Sequence, residues 1–324
     1  MEFVTQLPVN EPLDWILNVT MIKINKNLNK LKPSFITGFT DAESSFVIKI
    51  SRDHRAKTGW RIDPAFEIGL NEKDLVLLEK IQSFFAKGSI RKNKVNNAVI
   101  FAVQSIKDLA TVIIPHFEKY PLISQKRVDF ELFKQVVVIM INKQHLSLSG
   151  LQEVVNIRAS MNKGMTEILK ESFPNTIPVH RRAIDSNIVS DPNWLTGFVE
   201  GEGSFIISLV TNASAKLGIK VSLRFSISQH DRDIKLMDSL VKFLGCGSIV
   251  KHNAKFSVEF VVTKFSDIQE KIIPFFEKNS LQGIKSLKFN SFTEAAELIK
   301  NKAHLNSEGL KKIKQIKERR NKLG

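Results

Sequence analysis

The chain has 324 residues, 43% of them apolar, with 23 phenylalanines and a formal charge of +15 from 48 Lys+Arg against 33 Asp+Glu. That length suits about two domains, and the apolar content excludes a wholly disordered chain. The basic balance (pI near 9.7) fits a long polyanion, with nucleic acid as the leading partner. One cysteine, Cys246, excludes a disulfide framework and a cysteine-based zinc site and fits a reducing compartment.

Residues 1–32 read as an N-terminal leader. Its first thirty residues mix Asp, Glu, Asn and Lys with aliphatics and lack Arg, unlike a signal or transit peptide. A short helix then carries Ile36-Thr37-Gly38-Phe39-Thr40-Asp41-Ala42-Glu43-Ser44-Ser45-Phe46. Period-two alternation predicts a strand through Phe46–Ser51 and a second over about 60–70. Leu75, Leu78 and Ile81 keep helical spacing within 72–85. Two further strands flank Asn93-Lys94. A helix from near Lys107 is expected to stop at Pro115, and longer helices open near Ser124 and Ser147. Val136–Ile141 is too short for a membrane span and reads as buried helix.

The pattern then repeats. Leu195-Thr196-Gly197-Phe198-Val199-Glu200-Gly201-Glu202-Gly203-Ser204-Phe205 echoes the first motif at an offset of 202 − 43 = 159. The same offset pairs Phe66 with Phe225, Asp74 with Asp233, Lys126 with Lys285 and His145 with His304. So long a period means two copies of a domain, related by a pseudo-two-fold axis with a duplicated site beside it. We therefore divide the chain into leader 1–32, first domain 33–162, linker 163–190 with Gly164, Pro174 and Pro178, and second domain 191–324. Asp191-Pro192 reads as an N-cap with proline at the first helical position. Each half orders its elements αββαββαα: an α+β fold with an antiparallel sheet backed by helices.

On the two motif helices, Gly38 and Ala42 share a face, as do Gly197 and Gly201, a spacing that admits close backbone approach. If these helices pack on the pseudo-dyad, Glu43 and Glu202 emerge together at C-terminal ends that are already partly negative. Divalent cations would relieve that repulsion, and hard oxygen ligands with open coordination suit Mg²⁺.

Two such motifs at constant offset, with Phe66-Glu67-Ile68-Gly69-Leu70-Asn71-Glu72-Lys73-Asp74-Leu75 and the Pro121-Leu122-Ile123-Ser124-Gln125-Lys126 turn, resemble the single-chain LAGLIDADG homing endonucleases. The likeness is to the monomeric, intron-encoded fungal mitochondrial group and covers roughly residues 33–320. It implies a monomer acting as a pseudo-dimer that cuts both strands of a long asymmetric DNA target. The products would carry short 3′ overhangs and the cut would promote intron mobility. Glu43 and Glu202 would bind the catalytic Mg²⁺, which Ca²⁺ or Mn²⁺ replaces in vitro, and Asp41 and Glu200 would play a supporting part. Lys126 and Lys285 are candidates for stabilising the phosphate. Gln229 stands at the strand end where the family tunes its water network, and the first copy has Leu70 there. Ser44 stands where the motif has glycine, which bears on the turn beside Glu43. Two other readings use the same scaffold: an intron maturase that binds intron RNA, and a DNA-binding regulator that does not cut.

With Phe46, Ile48, Ile50, Phe66 and Ile68 facing the core, alternation assigns the opposite sheet face. In the first copy it carries Val47, Lys49, Ser51, Arg61, Asp63, Glu67, Ser89, Arg91 and Asn93. The second presents Ile206, Ser208, Val210, Asn212, Lys220, Ser222, Arg224, Ser226, Ser228, Ser248 and His252. Such mixed polar faces suit groove hydrogen bonds and phosphate contacts.

Overall fold

A computed structural model describes residues 30–93, 97–162, 164–182, 188–252, 254 and 256–322. Nearly all of the expected leader, and the turn residues Lys94 and Asn253, lie outside that set. The first half runs α1 (Pro33–Glu43), β1 (Ser44–Arg52), β2 (Trp60–Asn71), α2 (Leu75–Phe85), β3 (Ser89–Asn93) and β4 (Ala98–Val103). It continues with α3 (Ile106–Asp108), α4 (Ile114–Lys119), α5 (Lys126–Ile141) and α6 (Leu148–Ala159), followed by a short α7 (Glu167–Ser172). The second half repeats the plan. Its elements are α8 (Pro192–Glu202), β5 (Gly203–Thr211), β6 (Ile219–His230), α9 (Ile234–Leu244), β7 (Ser248–His252) and β8 (Ser257–Val262), then α10 (Phe265–Asp267), α11 (Ile273–Lys278), α12 (Lys285–Lys300) and α13 (Ser307–Asn321).

Each half holds one four-stranded antiparallel sheet, ordered β1-β2-β4-β3 and β5-β6-β8-β7. Alternation sends Phe46, Ile48, Phe66 and Ile68 inward. There Phe46 meets Phe66, Phe117, Phe130 and Phe133 at centroid distances of 5.4–5.6 Å. Phe205 repeats this with Phe225, Phe276, Phe289 and Phe292 at 5.1–5.4 Å. Each such ring, taken out of water, contributes about 1.5–3 kcal/mol, so each sheet is fixed to its own helices α5 or α12.

Pro115 and Pro274 do not end their helices. A π turn (Leu109–Ile113 and Ile268–Ile272) precedes each and joins α3 to α4 and α10 to α11. A proline clashes with the carbonyl four residues back, and the wider π turn moves that carbonyl aside. The proline then sits at the start of the next helical turn, where no N–H is needed. Of the Val136–Ile141 run in α5 only Val136, Val137 and Ile139 are buried, whereas Val138 and Ile141 are 47% and 49% exposed, because a helix turns only part of an apolar run toward the core. Among the described residues no helix is long and apolar enough to cross a membrane.

Much of the 163–190 segment folds back on the first half. Phe173 packs at a tilt of 55° against Trp60, 5.2 Å between ring centroids, Leu169 is buried, and Arg181 Nη1 reaches Asp129 Oδ1 at 2.7 Å. Asp191 caps α8 by accepting from Asn193 N at 2.7 Å, with Pro192 at the first helical position.

Candidate active site and nucleic-acid interface

The halves meet along α1 and α8. A Cβ at Gly38 would lie 1.9 Å from the Trp194 carbonyl oxygen, and one at Gly197 would lie 2.0 Å from that of Phe35. Only glycine permits so close a crossing. One turn on, Gly201 faces Ala42, whose methyl would stand 2.4 Å from an added Cβ. The crossing brings the two helix ends together: a Cβ on Gly201 would be 3.4 Å from Glu43 Oε1, and Glu202 is the next residue. Both glutamates are half-buried and end their helices. Burial, and then the nearby Glu43 carboxylate, push the Glu202 carboxyl up to about 7.

Lys126 and Lys285 are not surface lysines. Lys126 Nζ donates to the Thr40 and Ala42 carbonyls at 2.8 and 3.2 Å, and Lys285 Nζ to those of Val199 and Gly201 at 3.0 and 2.6 Å. Each ammonium therefore sits on the negative end of its motif helix, beside the glutamate. Burial pushes both lysines down to about 8, against the attraction of the surrounding carboxylates.

Asp41 and Glu200 hold the turns that introduce the lysines. Asp41 accepts from Ile123 N (3.1 Å), Ser124 N (3.2 Å) and Ser124 Oγ (2.5 Å). It also takes the Trp194 indole N–H from the other half at 2.9 Å. Glu200 accepts from Gln282 N at 2.6 Å. Ser44, at the motif's glycine position, has φ −97° and ψ 169°. That is extended backbone open to any residue, so the departure carries no strain.

The two centres differ at the strand end. Leu70 lines an open cleft of about 570 Å³ with Glu43, Asp74, Glu200, Lys285 and Lys288. Gln229, its counterpart, turns its Oε1 back to the N–H of His230 at 2.9 Å.

The strand registers place most of the expected outward residues on one face. Lys49 opposes Asp63 and Ser51 opposes Arg61, while Val47 opposes Ala65. Glu67 and Ser89 both oppose Ala102; Arg91 opposes Ile100 and Asn93 opposes Ala98. In the second half Ile206 opposes Arg224, Ser208 opposes Ser222 and Val210 opposes Lys220. Ser228 opposes Glu259, Ser248 opposes Val261, and His252 opposes Ser257.

Two expectations need correction. Asn212 lies beyond β5, and its side chain accepts from Ser214 N at 2.9 Å, an Asx turn at the loop tip. Ser226 shares the outward face but is 3% exposed, a small side chain between Ser204 and Val261 on the flanking strands. Several cations of the face already hold partners: Arg61 with Asp63 (2.8 Å), Arg91 with Glu67 (3.2 Å) and Arg224 with Glu259 (2.5 Å).

The face also holds Ala98, Ile100 and Ala102 on β4 and Ser257, Glu259 and Val261 on β8. On β4 both faces are apolar, which hid its outward residues, whereas on β8 the polar Ser257 and Glu259 alternate openly with buried Val258 and Phe260 and were legible. The alternation of buried Val99, Phe101 and Val103 was the available signal.

Comparison with known proteins agrees with this geometry. The sequence profile of the LAGLIDADG endonuclease family matches residues 36–137 and again 195–296. The chain belongs to that family. It is 47% identical over 298 residues to "Probable intron-encoded endonuclease 2" of Neurospora crassa, covering 89% of this chain and 64% of the relative. It is 39% identical to "Probable intron-encoded endonuclease 3" of the same organism, covering 90% of this chain and 55% of the relative. The chain thus spans 64% and 55% of the length of these relatives. The LAGLIDADG homing endonuclease I-SmaMI, solved bound to cleaved DNA, superposes with a TM-score of 0.87 at 41% identity, covering 89% of this chain and 96% of the other. I-SmaMI has also been solved on uncleaved target with calcium ions, and as a double variant in which two lysines 159 positions apart are alanine.

Proposed function

We propose that this LAGLIDADG protein is a homing endonuclease of mitochondrial intron origin. It would cut both strands of a long asymmetric DNA site and so promote movement of the intron that encodes it. The observation that carries the reading is the meeting of Glu43 and Glu202 at the crossing of α1 and α8, each beside a lysine sunk on its helix end.

The donor chemistry fits divalent cations. The site offers hard carboxylate oxygens, one of them held up at about 7 partly by its neighbour's charge. Among the described residues no cluster of three or more metal-ligating side chains occurs, so the DNA backbone and water would complete any coordination shell. Glu43 and Glu202 would hold the ions, Mg²⁺ being our choice, which supply charge neutralisation and a more acidic water.

The chain's own residues do the rest. Lys126 and Lys285 place fixed positive charge where the phosphodiester gains negative charge, and their attachment to the helix ends means they need not reorganise. The lysine spacing altered in the I-SmaMI double variant is the spacing of Lys126 and Lys285. Gln229 would orient water in one site, whereas Leu70 offers no hydrogen bond to water in the other. The sheet faces follow the grooves: Lys49, Lys220 and Ser208 supply phosphate and base-edge contacts, and the paired arginines exchange their carboxylates for DNA acceptors.

Incubation with duplex spanning the uninterrupted insertion site, with Mg²⁺ or with EDTA, tests the reading. Linear product with Mg²⁺ alone is expected. Binding without cutting would favour a DNA-binding regulator, and stimulated splicing of intron RNA without cutting would favour a maturase.

A further inference from the structure

Each site lysine stands at the first turn of a 16-residue helix, α5 or α12, and the N–H groups that open such a helix have no partner within it. The first helical N–H, that of Lys126, goes to Ser124 Oγ at 3.2 Å, and the turn that leads into each helix is held by carboxylates from both halves. In the first half, Asp41 takes Ile123 N and Ser124 N from within its own half. The next N–H, that of Gln125, goes to Asp233 Oδ1 across the midline at 2.7 Å. In the second half Glu200 takes Gln282 N, and Ile284 N goes to Asp74 Oδ1 across the midline at 3.1 Å. A Cβ on Gly283 would lie 2.8 Å from Glu200 Oε1 and 3.0 Å from Asp74 Oδ1, so both carboxylates close on that turn. Lys80 adds a further bond across the midline, Nζ to the Gln282 carbonyl at 3.1 Å.

We propose that Asp74 and Asp233 are positioning residues, each setting the lysine of the opposite half. Gln125 immediately precedes Lys126 and Ile284 immediately precedes Lys285, so each bond fixes the residue from which the lysine springs. Asp233 is 2% exposed and sits at the 3-10 turn that opens α9, rigidly carried by the second half. A shift of one half against the other therefore moves the partner's lysine relative to its own glutamate. The two sites are thereby coupled through the backbone, and correct docking of both halves becomes a condition for either cut. This inference rests on the endonuclease reading given above.

The test is strand-resolved single-turnover cleavage with Mg²⁺ of a duplex carrying the uninterrupted insertion site, labelled on one strand at a time. Affinity is measured in parallel with Ca²⁺ in place of Mg²⁺. Asp233→Ala is expected to slow one strand about tenfold or more and the other less than threefold, with affinity changed less than threefold. Asp74→Ala is expected to slow the opposite strand. Asparagine at either position keeps an acceptor oxygen and is expected to restore the rate to within about threefold. Should an alanine variant not fold, Gln125→Pro and Ile284→Pro remove the donating N–H instead, at positions whose φ of −59° and −62° already suits proline. They are expected to give the same opposite biases. Slowing of the same strand by both aspartate changes, equal slowing of both strands by each, or no slowing would overturn the proposal. Failure of the unaltered protein to cut either strand would instead defeat the endonuclease reading, and this inference with it.

Discussion

Along the midline the two halves place like residues on like residues: Gly38 and Gly197, Glu43 and Glu202, Asp74 and Asp233, Lys126 and Lys285. Across the open sheets the same alignment sets Lys49 against Ser208, Asp63 against Ser222, Glu67 against Ser226, Arg91 against Val250 and Ile100 against Glu259. The difference reflects what each region demands. At the midline two backbones nearly touch, two carboxylates share a small volume, and each lysine must reach a helix end. Few residue types meet those conditions, so duplication left them alike. On the sheets the fold requires only that every second residue be apolar, and the intervening positions were free to diverge. A symmetric centre carrying asymmetric reading faces is what cutting a non-palindromic site asks for.

The largest effect should come from disturbing the symmetric region. Gly38→Ala or Gly197→Ala places a methyl within 2 Å of a carbonyl oxygen and is expected to cost about 3 kcal/mol by overpacking. Urea unfolding should register this as a fall in midpoint. Ala42→Gly, which copies Gly201, should cost only about 1 kcal/mol, from helix propensity.

An effect that appears only as the pH falls separates the two cores. His116 packs edge-on against Phe117 and Phe84, and burial holds its imidazole down at about 4 from an ordinary 6.5. The unfolded chain therefore binds a proton that the folded chain refuses between those values. Its stability contribution is whole above about pH 6.5 and is lost as pH falls toward 4, by up to about 3 kcal/mol. Phe275 holds this place in the second half. His116→Phe should therefore remove part of the fall in Tm between pH 7 and pH 4.5, which thermal melts at the two values would show.

The smallest effect concerns the strand ends. Exchanging Leu70→Gln and Gln229→Leu should reverse the order in which the two strands are nicked, with each rate changing by roughly tenfold or less. A time course of nicked and linear product reads it directly.

Much of this was legible in the sequence because duplication printed it twice. The 159-residue offset located both glutamates, and the Gly38/Ala42 and Gly197/Gly201 spacing announced the helix crossing. Alternation placed the sheet faces, apart from Asn212, where an Asx turn takes the side chain, and Ser226, which is enclosed by its neighbours. The remainder depended on three-dimensional closeness that no local pattern carries. Asp74 and Asp233 read as ordinary residues at the start of a helix, yet each reaches a backbone amide in the other half. Lys126 and Lys285 matched by offset, but their seats on the motif helix ends required the fold. Pro115 and Pro274 looked like stops because a π turn leaves no mark in a hydrophobic pattern.

Glu43→Gln and Glu202→Gln, assayed for binding and for cutting of the same insertion-site duplex, address the shared centre most directly. If α1 and α8 deliver these two carboxylates to one hydrolytic centre, either change should leave affinity within a few-fold and lower double-strand cutting by about 10²-fold or more. Undiminished cutting by both variants would show that the chemistry lies elsewhere in the molecule.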